Sequence, residues 1–537
     1  MSRKVFSAAD AVAAIPDGAT LAVGGTGPVL EPDLLLQALE KRFLETGHPR
    51  GLTLFSPMLP GDRPGTGGLN HFAHEGMLAR VIGASFSRTR HAKLLDLIRA
   101  EACEGYILGM GTMVQLLSAA GGGKPGVFTK AGLGSFMDPR LEGGCMNARS
   151  KAPPVRIEIL DGEEYLYYRA PKLNVALVRG TTADENGYIS MEEETNSLGM
   201  PEMALAAHSS GGMVLAQVKR LARANSLDPR LVRIPGPLVD KVVVHPAQRQ
   251  LSAGMADPEH GWNPFYAGAL KAPRGVIPPV EAGATRIILR RSAMELRQGD
   301  IVNLGAGVAT QLPRITIEEN IDDLVVFTNE HGVFGGLMGS TYGGSFVPAV
   351  NADAVMDSAF QFAYYDGGGL DVTFLGIGQV DGSGNLNVSR FGDEINGPGG
   401  FNNIIEKTPR IVFCGSLTAG GLKVESDTGG LRILQEGRNS KFVAKVEQIT
   451  FNAARARTKN QQVIYITERA VFELRDAGLV LTEIAPGMDI ERDLKKVVGF
   501  PLVVADNLRQ MPSSVFSSGP VGLRNMIAMQ SSERIPR

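Results

Sequence analysis

Two stretches of this chain, 197 residues apart, carry the same strand–turn–strand pattern. "VALVRGTTADENGYIS" (Val175–Ser190) lies over "VTFLGIGQVDGSGNLN" (Val372–Asn387) without a gap, with identities at Val175/Val372, Asp184/Asp381 and Gly187/Gly384. The order continues on either side. "DGATLAVGG" (Asp17–Gly25) resembles "QGDIVNLGA" (Gln298–Ala306). "MVLAQV" (Met213–Val218) matches Ile411–Ser416 at an offset of 198, and "VDKVVV" (Val239–Val244) matches Val443–Gln448 at an offset of 204. One such match is within chance; four in the same order point to an internal duplication. The expected organisation is two related halves, 1–275 and 284–537, joined through the proline- and glycine-rich "LKAPRGVIPPVEAGATR" (Leu270–Arg286).

Each half alternates apolar runs with helical patterns. "ATLAVGG" (Ala19–Gly25) reads as a buried strand and "PDLLLQALEKRFLETG" (Pro32–Gly47) as a helix closed by glycine. "GYILGMG" and "TMVQLLSAA" (Gly105–Ala120) repeat that order, and "DIVNLG" (Asp300–Gly305) and "RIVFCG" (Arg410–Gly415) read as later strands. This alternation gives the fold class: α/β, two homologous open α/β domains with mostly parallel sheets. The tail differs. Gln462–Gly487 reads as short antiparallel strands, followed by a helix over Met488–Gly499.

Composition narrows the function classes. A net charge of −2 over 537 residues gives no footprint for nucleic acid or an anionic membrane. No run of about 18 apolar residues is present, and the N-terminal "MSRKVFSAADAVAAIPDG" has no signal-peptide core. Cys103, Cys145 and Cys414 lie far apart, without metal-ligand spacing, and read as reduced thiols of a cytoplasmic protein. Glycine is the outlier: 66 residues, about 12% against a usual 7%, concentrated in loops.

The chemistry centres on "DDLVVFTNEHGVFGG" (Asp322–Gly336), where an apolar strand ends on Glu330. Open α/β sheets bind ligands at the carboxyl ends of their strands. A carboxylate there serves as general base, metal ligand or nucleophile; a turn carboxylate or helix cap is the plain alternative. Gly332, Gly335 and Gly336 leave room for a ligand and offer backbone N–H groups to an oxyanion. Two more glycine loops lie in this half, "GPGGF" (Gly397–Phe401) and "TAGGL" (Thr418–Leu422). In the first half, "VGGTGPVLEP" (Val23–Pro32) follows a strand but lacks G-x-G-x-x-G, which argues against a nicotinamide cofactor. His71, His74 and Glu75 lack a zinc frame and read as solvated or core-edge residues. "MEEETN" (Met191–Asn196) reads as a solvated helix start, and "GGGKPG" (Gly121–Gly126) lacks the P-loop frame.

The combination resembles the family I coenzyme A transferases in their fused single-chain form, closest to the short-chain acyl type that includes propionate and acetate CoA-transferases. The resemblance rests on "GLNHFAHEGMLARVIG", "GLGSFMDPRLEGGCMNA", "VALVRGTTADENGYISME", "FCGSLTAGGLKV" and "YITERAVFELRDAGLVLTEIAPG", which span both halves. It makes Glu330, in Asn329-Glu330-His331-Gly332, the nucleophile, in a segment where the family has Ser-Glu-Asn-Gly. It places Gly24, Gly25 and Thr26, with Gly335 and Gly336, at the oxyanion and acyl pocket; Thr26 stands where the family has phenylalanine and Leu30 where it has glycine. It gives Gly397, Gly399 and Gly400, which cradle pantetheine in the family, together with Gly420 and Gly421, to CoA binding.

The resemblance also implies a mechanism. An ionised glutamate, with an ordinary pKa near 4.3, attacks an acyl-CoA and passes through a mixed anhydride to a glutamyl-CoA thioester with ping-pong kinetics. CoA is then a substrate, with no tightly bound cofactor and no metal. The partners are acyl-CoA and short-chain carboxylates such as acetate and propionate, and the assembly is a homo-oligomer. Val333, Phe334 and Met338, opposite Gly24–Pro28, are the expected acyl-pocket residues. An acyl-CoA hydrolase on the same scaffold and a non-enzymatic CoA or metabolite sensor are the competing readings.

Overall fold

A computed structural model of the chain describes residues 4–61, 65–251, 261–273, 277–338 and 347–530. Its first half is built around a nine-stranded sheet: β1 (Thr20–Val23), β2 (Leu52–Ser56), β3 (Leu78–Gly83), β4 (Glu104–Ile107), β5 (Val175–Asp184), β6 (Ile189–Ser190), β7 (Met213–Ala222), β8 (Val232–Ile234) and β9 (Lys241–Val244). Seven of these run parallel in the order β9-β7-β5-β1-β2-β3-β4. Strand β5 is buried along all ten residues because strands flank it on both sides and helices cover its faces. Helix α1 (Asp33–Thr46) turns Leu35, Leu36 and Leu39 inward. It stops at Gly47, whose left-handed φ of 72° lets its N–H reach the Phe43 carbonyl.

The second half holds a ten-stranded sheet: β10 (Ile301–Leu304), β11 (Val326–Asn329), β12 (Val333–Phe334), β13 (Ala354–Val355), β14 (Val372–Gly376), β15 (Arg410–Cys414), β16 (Gln462–Ile466), β17 (Ala470–Arg475), β18 (Gly478–Ile484) and β19 (Val503–Gln510). Five of these, in the order β16-β15-β14-β10-β11, run parallel and repeat the order β9-β7-β5-β1-β2. The expected antiparallel tail is present in β16-β17-β18.

Register corrects two of the sequence matches. Val175 pairs with Leu21 and Met213, and Val372 pairs with Val302 and Arg410. Met213 therefore corresponds to Arg410, one residue before the sequence match, and a one-residue slip exchanges the faces of a strand. Residues 443–448 form no strand at all; the place of β9 is taken by β16. The helix expected over Met488–Gly499 shrinks to one π-type turn at Ile490–Leu494, since the Gly499 N–H is drawn to the Phe442 carbonyl. In the linker, residues 274–276 lie outside the described residues, as does 531–537 at the end.

The same register compares the two halves at their strand ends. Leu21 pairs with Leu54, and Val302 with Phe327. Counting three residues on, Pro57 of the first half holds the place of Glu330 in the second. The halves also share a core. Phe362, Tyr365, Leu370 and Ile404 of the second half pack in one cluster with Met110, Met113, Val114 and Leu117 of the first.

"MEEETN" is not a helix start. Glu194 is buried and accepts from Arg179 Nε at 2.9 Å, while Arg179 also donates to the carbonyls of Glu31 and Arg249 at 3.1 and 2.5 Å. Removing one member of such a pair strands a buried charge. Arg179→Ala is expected to cost about 3–5 kcal/mol, seen as a lowered midpoint in thermal unfolding. The double variant Arg179→Met/Glu194→Gln should recover much of the loss.

Candidate active site

Glu330 is the first residue past β11, at the carboxyl edge of the second sheet. The turn after it is closed by Asn329, whose buried side-chain oxygen accepts the His331 N–H at 3.0 Å. Gly332 follows with a φ of 99°; any Cβ there would collide with the Met356 carbonyl, and the Met356 N–H donates to the Gly332 carbonyl at 2.7 Å. Asn196, the last residue of the acidic run, reaches over from the first half. Its Nδ2 donates to the His331 carbonyl at 2.8 Å.

The partner of the carboxylate comes from the glycine loop Gly397–Gly400. Gly400 N–H hydrogen-bonds the Glu330 carboxylate. A Cβ on Gly400 would collide with Glu330 Oε2 and press on the Phe362 ring edge. The loop is held by the first half. Gly399 N–H donates to the Ala84 carbonyl and Met110 N–H to the Gly399 carbonyl, both at 2.9 Å. Gly397 has a φ of 72°, and its bare face lies against that same Ala84 carbonyl. Helix α6 (Phe401–Lys407) leads out of the loop. Its Asn403 donates to Asp366, at the end of α5 (Ser358–Asp366), at 3.2 Å, and Gln115 of α3 (Met110–Gly121) donates to the same carboxylate. Burial pushes the Asp366 carboxyl up to about 6.

Glu330 keeps some accessible surface, but protein surrounds it closely. That desolvation pushes its carboxyl up to about 7, against the opposing pull of the Gly400 N–H. The ordinary carboxylate value expected from sequence is therefore replaced by one near neutrality. Next to it, burial and the Arg90 charge press His331 down to about 3, so its imidazole is neutral.

The other expected site residues fall in distinct places. Gly335 and Gly336 both adopt a φ of 70° in the turn between β12 and the following hairpin. The Gly335 N–H donates to the Phe327 carbonyl at 2.7 Å. Its amide thus completes the sheet between β11 and β12. A Cβ on Gly336 would lie 2.5 Å from the Val350 carbonyl. Gly24 is bare because the Met200 methyl lies over it, and Gly25 because its own turn folds back to within 2.8 Å. Thr26 closes that turn in paired backbone bonds with Val29 at 2.9 Å. The link from this turn to Glu330 runs through Arg90, which covers Gly27 and acts electrostatically on His331. Gly420 and Gly421 lie past the end of β15 on the same sheet edge as Glu330. Three strand spacings separate β15 from β11, about 14 Å. His71 and His74 both turn onto Glu40, at 2.5 and 2.7 Å. No cluster able to hold a metal ion occurs among the described residues, and no helix among them is long and apolar enough to cross a membrane.

Residues 5–245 match the coenzyme A transferase family model. Over 97% of its length the chain is 40% identical to the caffeate CoA-transferase of Acetobacterium woodii, covering 98% of that protein. The chain belongs to the coenzyme A transferase family. This transferase is also 37% identical to the acetate CoA-transferase YdiF of Escherichia coli O157:H7, with 96% of each chain covered. Its fold matches the crystal structure of that organism's YdiF as a thioester complex with CoA, at a TM-score of 0.89 and 36% identity over 97% of this chain and 98% of that one. The apoenzyme gives a TM-score of 0.90.

Two outcomes follow from the transferase's site. The Glu330 carboxyl should titrate near pH 7 in difference infrared spectra referenced to Glu330→Gln. At pH 6 about nine-tenths would then be protonated; a midpoint near 4.5 would show that desolvation does not govern it. Gly400→Ala should lower activity by at least about a hundredfold with unchanged far-UV circular dichroism. The φ of −83° suits alanine, so the backbone is unstrained and the methyl acts on the carboxylate and the Phe362 ring edge.

Proposed function

We propose that this transferase moves CoA between short-chain carboxylic acids, with acetate and propionate as its typical substrates and Glu330 as the nucleophile. The observation that carries the reading is the Gly400 N–H on a desolvated Glu330 carboxylate at the edge of the sheet. The ionised carboxylate oxygen attacks the acyl-CoA carbonyl carbon, the C–S bond breaks, and CoA leaves as a thiolate. The mixed anhydride on Glu330 is then attacked at its glutamyl carbonyl by that thiolate, which releases the donor carboxylate and leaves glutamyl-CoA. An acceptor carboxylate reverses the two steps. One thioester is exchanged for another, so the cycle balances without ATP.

Two features of the site favour this chemistry. A carboxylate is a weak nucleophile in water; desolvation and fixed placement raise its reactivity. The Gly400 N–H lies where negative charge develops on the Glu330 oxygen when its carbonyl is attacked. A donor so placed contributes about 2.7–4 kcal/mol. Gly397 and Gly399 line the approach of the pantetheine arm, and Gly420 and Gly421 extend the same edge for the body of CoA. Assembly as a homo-oligomer in the cytoplasm belongs to this reading; Cys103 and Cys414, buried as free thiols, fit a reducing compartment.

The test is to incubate the protein with propionyl-CoA without acceptor, quench it and map adducts by peptide mass. CoA on the Glu330 peptide, with Glu330→Ala below about one-thousandth of wild-type turnover, is the expected result. Because the ionised form reacts, the adduct should form faster as pH rises through 7. Steady release of free CoA with no adduct would mark a hydrolase instead.

A further inference from the structure

The two oxygens of Glu330 face different surroundings. Oε2 is closed off: the position of a Cβ on Gly400 falls on it, and the Phe362 ring edge lies 3.1 Å from that position. Oε1 is open. A carbon placed at the missing Cβ of Gly399 would lie 3.8 Å from Glu330 Oε1, 3.8 Å from Met110 Cε and 3.9 Å from Ser85 Cβ, and these are its nearest neighbours. Among the described residues this is a carbon-sized space at van der Waals distance from all three groups. Gly399 holds it open with a φ of 59°.

We propose that Oε1 is the attacking oxygen, that the acyl group seats over Gly399, and that Met110 sets the length of acyl chain accepted. This rests on Glu330 being the nucleophile. A reacting carbon has to come within about 3–3.5 Å of the attacking oxygen, and the space over Gly399 is the place on the Oε1 side from which a small shift achieves that. The Met110 methyl borders this space at 3.8 Å, so a chain lengthened toward it meets that methyl. Met110 is fixed at both ends. Its backbone N–H is bonded to the Gly399 carbonyl, and its side chain is 4% exposed in the core shared by the halves. It therefore acts as a wall that recedes only if the residue changes. A thioether methyl gives no partner to a second carboxylate, so the seat selects apolar acyl groups over dicarboxylic ones. The relatives named above differ in the acid they act on, caffeate in one and acetate in the other, which makes the wall of this space the place to look for what separates substrates.

The experiment compares kcat/KM for hexanoyl-CoA and propionyl-CoA, with acetate as acceptor, in wild type, Met110→Ala and Met110→Val. Shortening the side chain should raise the hexanoyl-to-propionyl ratio by at least about tenfold in Met110→Ala, and by less in Met110→Val. Met110→Val keeps most of the packing and serves if the alanine variant does not fold. An unchanged ratio in a folded variant, with the Glu330 adduct present in wild type, overturns the role of Met110 and leaves the proposed function standing. Absence of the adduct in wild type overturns both.

Discussion

The backbone bonds that tie the Gly397–Gly400 loop to the first half are the constraint on which the site depends. Gly399 is held on both its N–H and its carbonyl, by Ala84 and Met110. Those residues follow β3 and β4, so the position of the loop is set by the first sheet although it belongs to the second. Gly400 comes next in sequence, and its N–H holds the Glu330 carboxylate toward its charged form. Two sheets are thus brought into register around one carboxyl group. The buried contact of Asp366 with Asn403 and Gln115 secures the same joint from behind.

Glycine acts here in two ways. At Gly332, Gly336 and Gly397, backbone from another segment comes so close that no Cβ fits. At Gly399 the missing side chain leaves a carbon-sized space among the described residues. Sequence does not distinguish these uses, since both read as glycine in a loop after a strand. The distinction comes from what lies opposite, and in each of these cases that is a residue distant in the chain or a void.

Much of the fold was legible because it rests on local periodicity. The strand at Thr20–Val23, the helix closed at Gly47 and the strand running into Glu330 each have an apolar pattern and a defined stop. Similarity between the halves at Val175 and Val372 was legible for the same reason. What failed was register and distant pairing. The one-residue slip at Met213 left an equally apolar run, and the strand replacing Val443–Gln448 is β16, which begins nearly twenty residues later. The acidic run at Met191–Asn196 looked solvated because its partners, Arg179 and the His331 carbonyl, are separated from it in sequence. Likewise the shift at Glu330 comes from burial, which a lone glutamate between polar neighbours does not announce. Met110, in a run that reads as a strand, opens helix α3 instead, and its neighbour is Gly399, almost three hundred residues away.

The register of the halves gives Pro57 the place that Glu330 holds. A duplication that kept the carboxylate in both halves would have placed one at each of two matching strand ends. With proline there, the first sheet has no carboxylate at the matching point, and the burial that raises the affinity of Glu330 for protons acts at one strand end alone. The proton affinity of this edge is thereby a property of the folded molecule, in which two duplicated strand ends carry unlike chemistry.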